Sequence, residues 1–208
     1  MRYVVGTSFL TVMLAMSSLA YAQSTENAEA ETGAEESAVP ELSMGLTEAA
    51  PGQPYVKEEF GDWELRCVKS GEAEICQLYQ LMQDTDGNSV AEFNVFPLPE
   101  GQEAVAGANI VTPLETLLTA NLRLAVDAGQ AKIYPYSFCS QVGCFSRIGL
   151  TSEEVAAFRA GNAANVTIVP AAAPNETVSL SLSLSGFTAG YNALVAIENA
   201  RLSEGQSE

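Results

Sequence analysis

Residues 177–185 read TVSLSLSLS. A half-buried β-strand is the regular structure that puts Val178, Leu180, Leu182 and Leu184 on one side and Ser179, Ser181 and Ser183 on the other. A helix would scatter the same leucines around its circumference. Residues 121–127 repeat the pattern with Leu122, Leu124 and Val126, and residues 165–169 add another short strand. Pro170 and the AAAPNE segment interrupt the ladder, so residues 170–176 are expected to form the turn into the Ser/Leu strand.

An earlier pair of segments is more informative. DWELRCVK at 62–69 and EICQLYQLMQ at 74–83 flank the turn sequence SGEA. A hairpin centred between Gly71 and Glu72 sets Cys67 opposite Cys76, Leu65 opposite Leu78, Arg66 opposite Gln77 and Trp63 opposite Gln80. Directly opposed residues share a face, so Trp63, Leu65 and Cys67 all point to one side. The chain then turns through DTDGN into a strand over 89–96. The chain has four cysteines, Cys67, Cys76, Cys139 and Cys144. Four cysteines allow three pairings, and this hairpin geometry favours Cys67 with Cys76. Cys139 and Cys144 enclose only Ser140, Gln141, Val142 and Gly143, and Gly143 permits a tight loop there. A second bridge would fix a bend between 134–138 and 145–150.

The first 22 residues carry Arg2, an apolar run over 3–19 and the small-x-small triplet Ala20-Tyr21-Ala22. This is a secretory signal pattern with cleavage expected before Gln23. An exported chain with an even number of cysteines fits two disulfides. Residues 23–54 hold seven glutamates and no basic residue, with few large apolar side chains. They are expected to be a disordered acidic tether, with at most a transient helical turn over 41–49. The folded domain is expected over 55–202, with a frayed tail over 203–208. No transmembrane span is expected after signal cleavage. The net charge of −17 argues against nucleic acid and anionic lipid as partners, since phosphate is bound by Lys and Arg.

Two short helices complete the inventory. Thr151 is placed to cap SEEVAAFRAG, with Glu154 at the reciprocal position and Gly161 as the stop. TAGYNALVAI at 188–197 reads as a second helix, weakened by Gly190. Residues 97–120 carry no clear period; Pro97, Pro99 and Gly101 mark a loop, and PLETLLTA suggests one helical turn or a bend. Many strands, few helices and local bridges predict an all-β domain, either a β-sandwich or a partly closed barrel.

FGDWELRC at 60–67 followed by EICQLYQ at 74–80, YSFCSQVGCFSRIGL at 136–150 and LSLSGFTAGYNAL at 182–194 together resemble the invasion-associated locus B (IalB) family, three blocks in the family's order. The resemblance covers residues 55–197. It implies an immunoglobulin-like β-sandwich in an exported protein of alphaproteobacteria, with local disulfides Cys67–Cys76 and Cys139–Cys144. It implies a non-enzymatic binding or adaptor role toward an envelope or cell-surface protein, like that of proteins assisting entry into red blood cells. The implied location is the periplasm, the outer membrane or the exterior. The long acidic segment departs from what a basic, host-surface-binding protein would show.

The chemistry of the side chains points the same way. Histidine is absent, which removes Ser–His–Asp and Cys–His sites and the commonest metal ligand. Lys57, Lys69 and Lys132 lie in no nucleophile motif. Asp62, Glu64, Asp84, Asp86, Glu92 and Asp127 are the candidates for paired-carboxylate chemistry, as in a small hydrolase or glycan-active enzyme. In so acidic a chain they read more simply as solvated charges, and a structural or stress-protective envelope role is a further alternative. Asp84-Thr85-Asp86-Gly87-Asn88 lacks the sixth-position Gly and twelfth-position Glu of a calcium loop, so it reads as a plain turn. No cofactor motif is present. Trp63, Tyr79 and Phe93 are expected in the core. Tyr134, Tyr136, Phe138 and Phe145, with Arg147 beside them, are the candidate partner-binding residues, because a pinned bend can hold aromatics outward.

Overall fold

The computed structural model describes residues 50–205 apart from 51 and 72. The expected signal peptide, nearly all of the acidic tether and the last three residues lie outside the described residues. Eleven strands and two helices follow one another as β1 Pro54–Phe60, β2 Trp63–Ser70, β3 Ala73–Gln83, β4 Ser89–Pro97, β5 Ala104–Thr112, β6 Leu122–Val126, β7 Lys132–Tyr134, β8 Phe138–Ser140, β9 Gly143–Thr151, α1 Ser152–Ala160, β10 Ala163–Ile168, β11 Val178–Ser183 and α2 Phe187–Gly205. A 3-10 turn, Leu118–Ala120, precedes β6. No described helix is long and apolar enough to cross a membrane.

The β2–β3 hairpin has the expected register from Ser70–Ala73 to Glu64–Tyr79, and the ladder stops one pair short of the expected Trp63–Gln80. Cys67 faces Cys76, Leu65 faces Leu78 and Arg66 faces Gln77. Trp63, Leu65 and Cys67 are all buried, and Cys67 and Cys76 are bridged. The Ser/Leu strand is β11, with Leu180 and Leu182 in the core and Ser179 and Ser181 exposed. It pairs antiparallel with β10, which pairs with β6.

All the strands belong to one sheet, ordered β7-β6-β10-β11-β3-β4-β5-β9-β8, with β2 and then β1 branching from β3. The mostly β architecture agrees with the expectation. The finer expectation, an immunoglobulin-like sandwich of two sheets, is not what the hydrogen bonding shows. The end strands β7 and β8 are separated in the chain only by Pro135, Tyr136 and Ser137. Four Cα steps reach at most roughly 14 Å, whereas nine flat strands would span roughly 38 Å. The sheet must therefore curl until its two ends meet. At that seam Ser137 N donates to Phe145 O at 2.7 Å, and Ser146 Oγ donates to Pro135 O at 3.0 Å. β7 and β8 do not form a ladder with each other, so the curl stays open as a sheet.

The branch at β3 has its own device. Early β3 pairs with β2 as far as Glu64–Tyr79, while its end pairs with β11 only at Gln83–Ser181. Between those points β2 and β11 diverge, and the Gln80 side chain fills the gap. Its Nε2 donates to Ser183 O at 3.0 Å, and its Oε1 accepts from Ser183 N at 2.7 Å. A buried amide here does the work of a backbone unit. Gln80→Ala should leave the Ser183 amide without its partner and cost about 1–3 kcal/mol, read as a lower urea midpoint with an unchanged slope.

Both helices pack on the strands and share their core. Thr151 and Glu154 form the expected capping box on α1. Gly161 ends that helix in extended backbone, and the close packing explains the glycine: a Cβ there would lie 2.6 Å from Val126 Cγ1. In α2, Phe187, Tyr191 and Leu194 are buried at i, i+4 and i+7. Gly190 lets that helix approach β3, since a Cβ would lie 2.6 Å from Leu78 Cδ1. α2 begins one residue before the expected segment and continues through Ser203 to Gly205. Trp63 meets Phe93 and Phe187 edge-on, with centroids 6.1 and 5.3 Å apart, and Phe158 lies 5.3 Å from Phe187. Two helices and two strands thus meet at one aromatic cluster.

Candidate functional site

The second bridge is present, with Cys139 and Cys144 opposed in the β8–β9 hairpin. Gly143 has φ +150°, and a Cβ there would lie 2.5 Å from Thr112 O, so the turn passes too close to β5 for any side chain. Phe138 faces Phe145 across the hairpin. Their rings stack at 4.7 Å with 13° between planes, and Phe138 remains 49% exposed.

The register extends this pair into a surface. Phe145 lies opposite Val111, and Arg147 opposite Asn109; Asn109 in turn faces Asn94 and Val111 faces Glu92. Opposed and alternate residues share a face, so Phe138, Phe145, Val111, Arg147 and Asn109 occupy the outer side of β8–β9–β5. Arg147 is exposed and forms no ion pair with another described residue, unlike Lys57, Arg66, Lys132 and Arg201. Asn109 Oδ1 is buried and accepts no hydrogen bond from the described residues.

The five candidate residues therefore separate into two groups. Phe138, Phe145 and Arg147 stand together on the outer face. Tyr134 and Tyr136 are half-buried against the core. Tyr134 donates to Glu154 Oε1 at 2.8 Å, the oxygen that Lys132 Nζ reaches at 2.8 Å. Burial, and then this bond, push the Tyr134 phenol well above its ordinary value. Burial also pushes Tyr136 upward. These two tyrosines bind the β7–β8 segment to the domain.

Among the described residues, the displaced carboxyl groups all move in the direction opposite to a general acid. Burial pulls Glu154 up, but hydrogen bonds from Lys132, the Thr151 backbone and Tyr134 outweigh it, and the group stays low. Asp84 is held low by Asn88, because its carboxylate caps the turn, accepting from Asp86 N and Asn88 N at 2.9 Å each. Arg201 holds Glu198 low. Cys67, Glu74 and Cys76 lie within metal-binding reach of one another, but both sulfurs are consumed in the bridge.

Glu74 accepts from the Tyr55 hydroxyl and from Lys57 Nζ. Those bonds outweigh the opposing effect of burial and lower its pKa, while the same contact, ahead of burial, pushes Tyr55 up to about 12. A carboxyl lowered by folding contributes stability that is present above its unfolded pKa and is lost as pH falls through the folded value. Between about pH 5 and pH 3, the urea midpoint of the native chain should fall more steeply than that of Glu74→Gln, which has no proton to take up there.

One further feature gave no signal in the sequence. A cavity of about 480 Å³ opens between α1, α2 and residues 97–105, lined by Leu98, Val105, Val155, Tyr191 and Val195. Arg159 lies at its wall, donating to Asn192 Oδ1 at 2.8 Å and sitting 5.2 Å from the Tyr191 ring. Its lining comes from separate elements with no common spacing, and β5 itself is hidden in sequence by its small residues.

The family model for the invasion-associated locus B protein matches residues 63–195, the span from the buried tryptophan of β2 to the middle of α2. The chain belongs to the IalB family. Two curated relatives, invasion protein B homologs of Brucella abortus (strain 2308) and of Brucella abortus biovar 1 (strain 9-941), are each 24% identical over 164 residues, covering 77% of this chain and 91% of theirs. The crystal structure of invasion-associated protein B from Bartonella henselae matches with a TM-score of 0.60 at 25% identity, over 69% of this chain and 97% of that one. The three IalB blocks correspond to the β1–β2–β3 hairpins, the β8–β9 hairpin and the β11–α2 corner.

Proposed function

We propose that this IalB-family chain is an exported envelope protein that acts by docking a protein partner, as an adaptor, and not by catalysis. The carrying observation is the Phe138–Phe145 stack, held outward on a disulfide-pinned hairpin beside Arg147, which has no ion pair among the described residues. Phenylalanine and arginine are among the residue types enriched at protein interfaces, and here an exposed and a half-buried Phe stand next to an Arg. The pinned hairpin reduces the ordering cost of association. The fitting partner is an envelope or cell-surface protein that offers an apolar recess for Phe138 and a carboxylate for Arg147. The relatives are named for invasion; docking a protein partner is the part of such a role that the outer face supports. Residues 1–22 direct export, residues 23–54 serve as a tether, and the domain works in the periplasm or at the outer membrane.

The test is in-cell crosslinking of the tagged protein, read by mass spectrometry. A dominant envelope partner is expected, and Phe138→Ser with Arg147→Glu should reduce its yield at least about tenfold, the loss of roughly 1.4 kcal/mol or more, while the melting temperature moves little. Equal yields from the native and variant chains would remove this face from the interface.

A further inference from the structure

The two disulfides differ in what surrounds them. Cys67 is completely buried and Cys76 is half-buried. Their strands are interior, with β1 on the outer side of β2 and β4 on the other side of β3. Cys139 is exposed, on a three-residue strand that ends the sheet, while its partner Cys144 is 1% exposed. A thiolate must reach a sulfur to break a disulfide, and Cys139 is the most exposed of the four cysteines, Cys76 being only partly covered.

We propose that Cys139–Cys144 is a reduction site for a dithiol oxidoreductase, whereas Cys67–Cys76 is a structural bridge. One thiolate of the dithiol attacks Cys139 Sγ and forms a mixed disulfide. The Cys139–Cys144 bond breaks, and Cys144 Sγ leaves with the electron pair and takes a proton from water. The second thiol of the dithiol, giving up its proton, then displaces Cys139 Sγ from the mixed disulfide, and Cys139 is protonated. The protein gains two electrons and two protons, and the dithiol becomes a disulfide.

Reduction acts on the outer face without dismantling the domain. β8 is joined to β9 by three residue pairs, and Phe138, Cys139 and Ser140 are all exposed. Opening the bridge releases a short edge strand that contributes little to the core, and stability is local in such edges. Phe138 moves with β8, so its stack on Phe145 is lost. That consequence rests on the docking reading above; the reduction site itself does not.

The experiment uses the oxidised, purified protein without any partner. It is exposed to limiting dithiothreitol, quenched with N-ethylmaleimide at intervals and mapped by peptide mass spectrometry. Labels should appear on Cys139 and Cys144 at least about tenfold faster than on Cys67 and Cys76, with the fluorescence of Trp63, the chain's single tryptophan, unchanged during that phase. Equal rates for the two pairs, faster labelling of Cys67 and Cys76, or labelling only as the Trp63 signal collapses would overturn the proposal. A Cys139→Ser/Cys144→Ser protein should keep the native far-ultraviolet spectrum; an unfolded protein would also overturn it. Failure to find a crosslinked partner would leave these readouts unaffected.

Discussion

Trp63→Ala should destabilise the domain by about 3–5 kcal/mol, the range for deleting a buried aromatic side chain. Trp63 is completely buried and sits where β2, β4 and α2 converge, against Phe93 and Phe187. Its Nε1 also donates to Ser183 O at 2.9 Å, so the ring ties β2 to β11 across the branch of the sheet. The cavity left by its removal cannot collapse easily, because its walls come from three separately anchored elements. Trp63→Phe should recover most of the packing and lose the hydrogen bond, at a cost of about 1–2 kcal/mol. The ranking is measured by urea unfolding under non-reducing conditions, followed by circular dichroism because the variants lack the fluorescent side chain. Equal midpoints for Trp63→Ala and Trp63→Phe would show that the core does not depend on this packing.

Gly186→Ala should be at least as damaging as a core truncation, at about 3 kcal/mol or more. Gly186 has φ +87°, and a Cβ there would stand 1.8 Å from Phe60 O. Backbone occupies that space, so no rotamer change relieves the clash. Gly61 meets the same constraint from the other side: its φ is +59°, and a Cβ would lie 2.8 Å from Ser185 O. The β1–β2 turn and the β11–α2 corner thus pack main chain against main chain, and Asp62 N donates to Ser185 O at 3.2 Å. Gly87→Ala is the control. Its φ of +84° is as strained, but open space surrounds it, so only the conformational cost of about 1–2 kcal/mol remains. Thermal unfolding of the two variants separates close approach from backbone strain; equal losses would mean that the Gly186 contact relaxes.

The pieces that sequence made legible are those governed by neighbours in the chain. The β2–β3 register followed from a two-residue turn and an alternating face, since pairing in a hairpin is fixed by its own loop. The α1 cap followed from Thr151 and Glu154, three residues apart. What escaped was shaped by distant residues. β5 carried no readable period because Ala106, Gly107 and Ala108 face elements already close by; a Cβ on Gly107 would lie 2.4 Å from the Phe96 ring, a constraint visible only once β4 lies beside it. The candidate aromatics illustrate the same limit. Tyr134, Tyr136, Phe138 and Phe145 are close in sequence, yet the chain crosses the seam of the curled sheet between Tyr134 and Phe138, so two turn to the core and two stay outside.

Sequence by itself determined the alternating strands, the β2–β3 register, the pairing of Cys67 with Cys76 that this register favours and the absence of histidine chemistry, because periodicity, turn composition and side-chain inventory are local properties. Tertiary structure alone decided that the strands join into one curled sheet, that Gln80 bridges its branch, that Arg147 stands beside the Phe138–Phe145 stack with no ion pair among the described residues, and that one disulfide has an exposed cysteine while the other joins a buried cysteine to a half-buried one. Those depend on which surfaces meet across long stretches of chain, and burial is a property of the assembled neighbours, not of the residue.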